Sequence, residues 1–245
     1  YELGYDDYKG KIPPTPGVKR QPTQQDEQKD SRSDSQYRSI GGCLVYLGLD
    51  VANIMFAAKE VARKFHDPSA SDWQSVARCA RYLVDKAEYG VHNEMTQRFA
   101  DDKIDVEIYV DAGFCGDESG RSTTGITATV YGFEVARVSQ TQPGLPALSS
   151  GEAELRAMSR ACCLALYIGE LFKGLAIAAR IVLRCDATAA LAAAENMNSG
   201  RMRHLRIADQ FVKKMIRDKL IKSMKIDGRL QPADLMTKHV DVQTR

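Results

Sequence analysis

The sequence lacks several patterns that would assign it early to a class. Its six cysteines form no CxxC pair, and two of them, Cys162 and Cys163, lie together inside an apolar run. No stretch reaches the ~18 consecutive apolar residues that a membrane span requires. There is also no cluster of histidines and cysteines of the kind that holds zinc. These absences favour a reduced, intracellular protein without a membrane span.

An excess of charge of one sign is also missing. The 34 lysines and arginines nearly balance the 32 aspartates and glutamates, for a net charge of +2. Any affinity for nucleic acid must therefore come from local patches. The 245 residues, 44% of them hydrophobic, suit one large or two small globular domains. Because the chain begins at Tyr1 without an initiator methionine, we interpret it as a piece of a longer protein.

Three segments differ in composition. Residues 1–36 are polar and proline-rich, which predicts a linker. Apolar residues at helical spacing predict a small helical module over 37–100, and alternating patterns begin in the segment 104–240. The predicted strands are 105–111, 125–131, 133–138, 180–186 and 220–226, and the predicted helices are 149–173, 187–196, 203–219 and a short one near 234. Hairpin strands mixed with helical crossovers predict an α/β fold, a mixed sheet flanked by helices.

Four carboxylates fall at the ends of predicted strands or at the starts of predicted helices. Asp111 and Asp186 each end a strand, Glu154 lies in the first turn of the long helix, and Asp234 opens the short one. Each has a structural alternative: a turn residue, a helix cap or a partner of the helix dipole. Convergence at one sheet edge would explain all four positions together.

Helical geometry separates Glu154 from its neighbour Glu152. Ser149 and Glu152 have the spacing of a capping box, and Glu152 lies four residues before Arg156, so its predicted role is structural. Glu154 heads the apolar stripe that must pack on the sheet. A carboxylate on that stripe is costly to bury unless a positive charge meets it, which favours a metal-ligand role.

A cluster of carboxylates indicates which cation it would bind. Two carboxylates 4 Å apart repel by roughly 4 kcal/mol at an effective dielectric of 20, so several in one site need divalent cations. Ligation by oxygen alone selects Mg²⁺ or Mn²⁺ over zinc. Two such ions ~3.5–4 Å apart activate a water and stabilise a leaving oxygen. The predicted reaction is metal-assisted hydrolysis of a nucleic-acid strand.

A basic amphipathic helix is predicted over 203–219. Its apolar positions predict a buried stripe that leaves Arg203, Arg206, Lys213, Lys214 and Arg217 facing outward. That face is either solvated or follows a phosphate backbone. Between the first two strands, Arg121, Ser122 and Thr123 offer further phosphate contacts. We interpret His204 and His239 as surface residues, with proton transfer near Asp234 as an alternative for His239.

Five motifs in order resemble the ribonuclease H domain of copia-type retrotransposon Pol polyproteins. They are IYVDAGFCGDESGRSTTG (108–125), ALSSGEAEL (147–155), RCDATAAL (184–191), RMRHLRIADQFV (201–212) and PADLMTKHV (232–240). Residues 15–20, 37–63 and 67–90 are similar to the end of the reverse transcriptase that precedes this domain. The sequence departs from the family at Gly113 and Phe114, where aspartate and tryptophan are usual.

The resemblance implies a ribonuclease H-like fold and cleavage of the RNA strand of RNA–DNA hybrids. It implies that Asp111, Glu154, Asp186 and Asp234 are catalytic and hold two Mg²⁺ ions, with Mn²⁺ as an alternative. The implied partners are the hybrid and the rest of Pol, including reverse transcriptase and integrase, with no membrane. The implied setting is a virus-like particle in the cytoplasm, with the nucleus as an alternative.

Two other functions remain open from the sequence. The first is a catalytically degenerate or domesticated module of the same fold that binds nucleic acid. The second is a DNA-cleaving relative of integrases or resolvases, which shares the carboxylate chemistry but lacks the flanking motifs. Polymerase activity is not expected, because Tyr5-Asp6-Asp7 lacks the residue that the polymerase motif places between tyrosine and the aspartate pair.

Overall fold

The computed structural model describes residues 9–19, 29–84, 103–116, 119–195 and 206–239, and the side chains of residues 206–209 lie outside that description. The chain divides into two compact units. The first comprises Tyr1–Val91 with Lys238–Arg245, and the second comprises His92–Thr237. None of the helices in the described ranges is long and apolar enough to cross a membrane.

The first unit contains three helices, α1 (Asp34–Leu47), α2 (Ala52–Ala62) and α3 (Ala70–Val84). A capping box formed by Ser33 and Gln36 starts α1, three residues earlier than the predicted module. The core is built around Tyr37, whose ring lies edge-on to Trp73 at a centroid distance of 5.3 Å. The small helical module predicted for this region is therefore present among the described residues.

Part of the segment 1–36, which the sequence predicts to be a polar linker, packs against the rest of the first unit. Thr15 is 5% exposed, and Pro16 is buried as well. The guanidinium of Arg78 donates one hydrogen bond to the Thr15 carbonyl and another to its hydroxyl, each at 3.0 Å. Composition alone misses this packing, because the partner of Thr15 lies 63 residues away along the chain.

The second unit is built on a five-stranded sheet of order β3-β2-β1-β4-β5. Its elements in chain order are β1 (Lys103–Gly113), β2 (Thr123–Val130), β3 (Phe133–Thr141), α4 (Ser150–Gly174), β4 (Ala178–Cys185), α5 (Thr188–Glu195), α6 (Arg206–Arg217), β5 (Lys222–Lys225) and the 3₁₀ helices Gly228–Leu230 and Pro232–Met236. The predicted α/β fold, a mixed sheet flanked by helices, is confirmed. The short helix predicted near residue 234 is a 3₁₀ helix, the C-terminal 3₁₀ helix, rather than an α-helix.

Strand direction sets where the ends of β1 and β4 lie. β1 pairs antiparallel with β2 and parallel with β4, and β4 pairs parallel with β5. In this register Val110 lies beside Cys185, and Asp111 lies opposite Gly125. Because β1 and β4 run in the same direction, the residues after Val110 and after Cys185 lie at the same edge of the sheet.

Helix α4 packs across β1, β2 and β4 and buries the stripe predicted from its spacing. The side chains of Ala157, Met158, Ala161 and Ala165 are fully buried, and Ile168 is 6% exposed. They meet the inward residues Val106, Ile108 and Val110 of β1, which are also fully buried. This packing fixes the N-terminal part of α4, which carries Glu154, against the sheet.

Candidate active site

Three carboxylates from three elements converge at this edge. Asp111 lies near the end of β1, Asp186 directly follows β4, and Glu154 lies near the N-terminal end of α4, just after its first turn. Each offers one oxygen atom, and these three oxygens lie within 4.8 Å of one another. Three of the four carboxylates singled out from the sequence are thus brought together.

The cluster is poorly solvated. Asp111 and Glu154 are each 8% exposed, and Asp186 is half-buried. Burial raises the pKa of Glu154 from 4.5 to about 8, helped by the nearby charges of Asp111 and Asp186 and opposed by a hydrogen bond from the Ala112 backbone. Without a cation, Glu154 therefore carries a proton at neutral pH. A divalent cation would reverse this balance by compensating the negative charge.

Asp234 stands at the border of the cluster. Its charge contributes to the raised pKa of Glu154, after desolvation and the two nearer aspartates. Among the described residues, however, the group whose ligand atoms lie within 4.8 Å of one another contains only Asp111, Glu154 and Asp186. Asp234 is half-buried and lies in the C-terminal 3₁₀ helix, which carries none of the other three carboxylates.

Two hydrogen bonds tie the C-terminal 3₁₀ helix to the sheet. Gln231 caps the helix, and its amide nitrogen donates to the Val110 carbonyl at 3.0 Å. The hydroxyl of Ser139 donates to the Met236 carbonyl at 2.6 Å. These bonds place Asp234 beside the strand that carries Asp111.

Two glycines let this helix approach closely. A β-carbon on Gly125 would lie 2.5 Å from Thr237 Cγ2 and 2.7 Å from the Ala233 carbonyl oxygen. A β-carbon on Gly113 would lie 2.7 Å from the Thr237 carbonyl oxygen. Sequence reasoning assigned no role to Gln231, Gly125 or Thr237. The nearest signal is Thr237 inside the PADLMTKHV motif, which does not reveal its partner.

Glu152 has the structural role that its spacing predicts. The Ser149 hydroxyl accepts a hydrogen bond from the Glu152 backbone at 3.2 Å, and the Glu152 carboxylate pairs with Arg156 at 2.6 Å. The other carboxylate oxygen accepts from the Leu148 backbone at 3.0 Å, one residue before the position that a full capping box uses. With these partners, Glu152 is committed to the start of α4 rather than to the cluster.

Two of the residues predicted to contact phosphate, Ser122 and Thr123, are buried. The first is 1% exposed and the second 5% exposed, because β2 begins there and is covered on both faces. The Ser122 hydroxyl accepts a hydrogen bond from the Cys115 backbone at 3.3 Å. Arg121, immediately before them, is exposed and stays a predicted contact.

Helix α6 supplies part of the predicted basic face. Its buried side includes Val212 and Met215, while Lys214 is exposed and Lys213 is half-buried. Arg203 and His204 lie outside the described residues, as does the side chain of Arg206. Binding of nucleic acid by this face stays a prediction.

His239 belongs to the first unit. Its ring lies edge-on to Phe56 at a centroid distance of 4.9 Å and close against Gly17. The residue is half-buried. Its alternative role in proton transfer stays a prediction.

A separate depression lies toward the start of β1 and is lined by charged side chains that pair with one another. Arg180 pairs with Asp105 at 2.8 Å, and Arg184 pairs with Glu107 at 2.7 Å. Glu107 lies four residues, about 13 Å of strand, from Asp111. This depression is therefore not at the carboxylate cluster, whose chemistry makes it the stronger candidate for a functional site.

The donor set of the cluster suits a hard divalent cation. All three groups are carboxylates, the ligands that Mg²⁺ and Mn²⁺ prefer. The nearby Cys185 sulfur lies 3.9 Å from a Glu154 oxygen, but burial raises the pKa of this thiol to about 12, so it is not a competing thiolate. The residues present therefore fit divalent metal binding.

Comparison with known proteins finds similarity to polyproteins of mobile elements. It is 24% identical over 208 residues to a retrovirus-related Pol polyprotein from transposon RE2 of Arabidopsis thaliana, covering 83% of this chain and 14% of that protein. It is 27% identical over 218 residues to the Pol polyprotein from transposon TNT 1-94 of Nicotiana tabacum, covering 87% and 16% respectively. Homologues of this chain are retrovirus-related Pol polyproteins of plant transposons. No protein-family model matches the sequence.

The chain spans about one sixth of the length of these Pol homologues. Among solved structures, it is similar to LC11 ribonuclease H1 in complex with an RNA/DNA hybrid, with 16% identity and a TM-score of 0.43. The alignment covers 54% of this chain and 93% of the ribonuclease.

Proposed function

We propose that the second unit is a ribonuclease H that hydrolyses the RNA strand of RNA–DNA hybrids. The observation that carries this proposal is the convergence of Asp111, Glu154 and Asp186 within 4.8 Å, at positions that match the motifs of the family. An oxygen-only cluster that is this poorly solvated is stable when a cation compensates its charge.

Each carboxylate has a proposed role. Asp111, Glu154 and Asp186 hold divalent cations, and Asp234 completes the coordination of a second ion from the C-terminal 3₁₀ helix. Two bound Mg²⁺ ions supply an activated water and stabilisation of the leaving oxygen. Loss of the proton on Glu154 accompanies metal binding, because a carboxylate must be ionised to act as a ligand.

Specificity for the hybrid comes from features other than base sequence. Exposed Lys214 and Arg121, together with Lys213, contact phosphates, which gives salt-dependent and sequence-independent affinity. The RNA strand is distinguished from DNA by duplex shape and the 2′-hydroxyl. Within a Pol polyprotein, reverse transcriptase and integrase are the partners, and the first unit is the end of the reverse transcriptase. The proposed setting is a cytoplasmic particle.

The test is cleavage of an end-labelled RNA–DNA hybrid by the purified chain in Mg²⁺ and in Mn²⁺, with duplex DNA in parallel. Asp111→Asn should lower the rate by at least about 100-fold, since it removes a charged ligand. Asp105→Asn is the matched control. It makes the same change on the same strand but loses only a partly exposed ion pair with Arg180, so its rate should stay within about twofold.

Three outcomes separate the proposal from its rivals. Cleavage restricted to the RNA strand and lost in Asp111→Asn supports a ribonuclease H. Cleavage of duplex DNA would favour the integrase- or resolvase-like alternative. A folded chain that binds the hybrid but cleaves nothing with either metal would identify the degenerate binding module.

A further inference from the structure

Thr237 links the C-terminal 3₁₀ helix directly to the carboxylate cluster. It is the residue after Met236, is 5% exposed, and its hydroxyl donates a close hydrogen bond to Asp111 Oδ2. The backbone nitrogen of Thr237 donates to the Asp234 carbonyl at 3.2 Å. One residue thus contacts the side chain of Asp111 and the backbone of Asp234.

The position of Thr237 is fixed by packing. Its methyl group lies against Gly125, and its carbonyl oxygen lies against Gly113, in both cases too close for a β-carbon on the glycine. The hydroxyl oxygen also lies 3.2 Å from the Asp234 carbonyl, the alternative acceptor for its single proton. A hydroxyl held this firmly is a fixed hydrogen-bond donor toward Asp111.

A hydrogen bond to one oxygen of a carboxylate sets the rotation of the whole group. With Oδ2 held by Thr237, the direction of Oδ1 is set as well. Partners of this kind orient metal ligands, and losing them typically lowers metal affinity by 10- to 100-fold. Such a loss leaves the carboxylate itself in place, so its effect on metal affinity acts through the orientation and basicity of the ligand.

We propose that Thr237 is a positioning residue of the metal centre, which orients Asp111 for a divalent cation and keeps the helix bearing Asp234 in register with β1. This inference rests on the proposed function only in requiring a metal at the cluster. It does not depend on the nucleic acid that is cleaved.

The test is direct Mn²⁺ binding to the metal-free chain, followed by electron paramagnetic resonance. Thr237→Val keeps the shape of the side chain and removes the hydroxyl, whereas Thr237→Ser keeps the hydroxyl. The expected result is a Kd for Mn²⁺ that is about 10- to 100-fold weaker in Thr237→Val and within about threefold of wild type in Thr237→Ser. The Mg²⁺ concentration that gives half-maximal cleavage should likewise rise in Thr237→Val and stay near the wild-type value in Thr237→Ser.

The outcomes distinguish this inference from the proposed function. Wild-type chain that binds no Mn²⁺ overturns both. Wild-type chain that binds Mn²⁺, with Thr237→Val binding equally well, overturns the role of Thr237 and leaves the metal centre standing. If Thr237→Val lacks the wild-type circular dichroism spectrum, Thr237→Ala is measured in its place against the same thresholds.

Discussion

The proton on Glu154 gives a prediction about stability that needs no substrate. In the metal-free native state the pKa of Glu154 is about 8, compared with an ordinary value of 4.5. Between these two values the native state binds a proton that the unfolded chain has released. The stability contributed by this proton is therefore fully present below pH 4.5 and is lost as the pH rises toward 8.

The size of this loss of stability follows from the difference between the two pKa values of Glu154. Roughly 3.5 pH units at about 1.36 kcal/mol each set a ceiling of about 5 kcal/mol, and relaxation around a buried group reduces the expected loss to about 2–5 kcal/mol. In Glu154→Gln, which cannot ionise, this loss should be absent. The difference between the two unfolding free energies therefore isolates Glu154 from the other titrating groups.

The assay is urea unfolding in EDTA at several pH values from 5 to 8, followed by far-ultraviolet circular dichroism. Fluorescence of Trp73, the single tryptophan, records the first unit separately. Saturating Mg²⁺ should stabilise the wild type more at pH 8 than at pH 5, because protons compete with the metal at Glu154. If wild type and Glu154→Gln differ by a constant amount across this pH range, the reasoning about the buried carboxylate is refuted.

Two further predictions concern the docking of the C-terminal 3₁₀ helix and the basic face. Gly125→Ala should destabilise the chain by about 1–3 kcal/mol and lower the cleavage rate, because the added β-carbon would lie 2.7 Å from the Ala233 carbonyl oxygen. The control is Gly151→Ala, whose added β-carbon would have its nearest neighbour at 4.0 Å. This control should leave both the urea unfolding curve and the cleavage rate nearly unchanged. Lys214→Gln should weaken binding of the hybrid and reduce the slope of log Kd against log salt concentration by about 1, as measured by fluorescence anisotropy. The same change at Lys173, an exposed lysine on α4, should leave this slope unaltered.

The sequence predicted those features that depend on local pattern. Alternation placed the first strand at 105–111, and the structure extends it to Lys103–Gly113. Helical spacing placed α4 at 149–173, and the structure has Ser150–Gly174. The meeting of Asp111 and Asp186 was predictable, because each lies at the end of a predicted strand and the two strands were expected in one sheet.

Features that depend on distant contacts were not predictable. Thr237 meets Asp111 across 126 positions of the chain, and Gln231 meets Val110 across 121. No local pattern encodes such a pairing. Ser122 and Thr123 were assigned to phosphate because they follow Arg121 in a polar run, but they lie at the covered start of β2, where a hydroxyl is buried against the backbone.

The contacts around the C-terminal 3₁₀ helix indicate that the site is assembled before metal binds. Its links to the sheet through Gln231, Ser139 and Thr237 are hydrogen bonds between protein groups, and its close approach depends on Gly125. None of these contacts requires a cation, so folding places Asp234 beside the cluster in spite of charge repulsion. The repulsion is relieved by the proton on Glu154. A divalent cation would replace that proton with little rearrangement of the chain, which is the condition under which binding energy is retained as affinity.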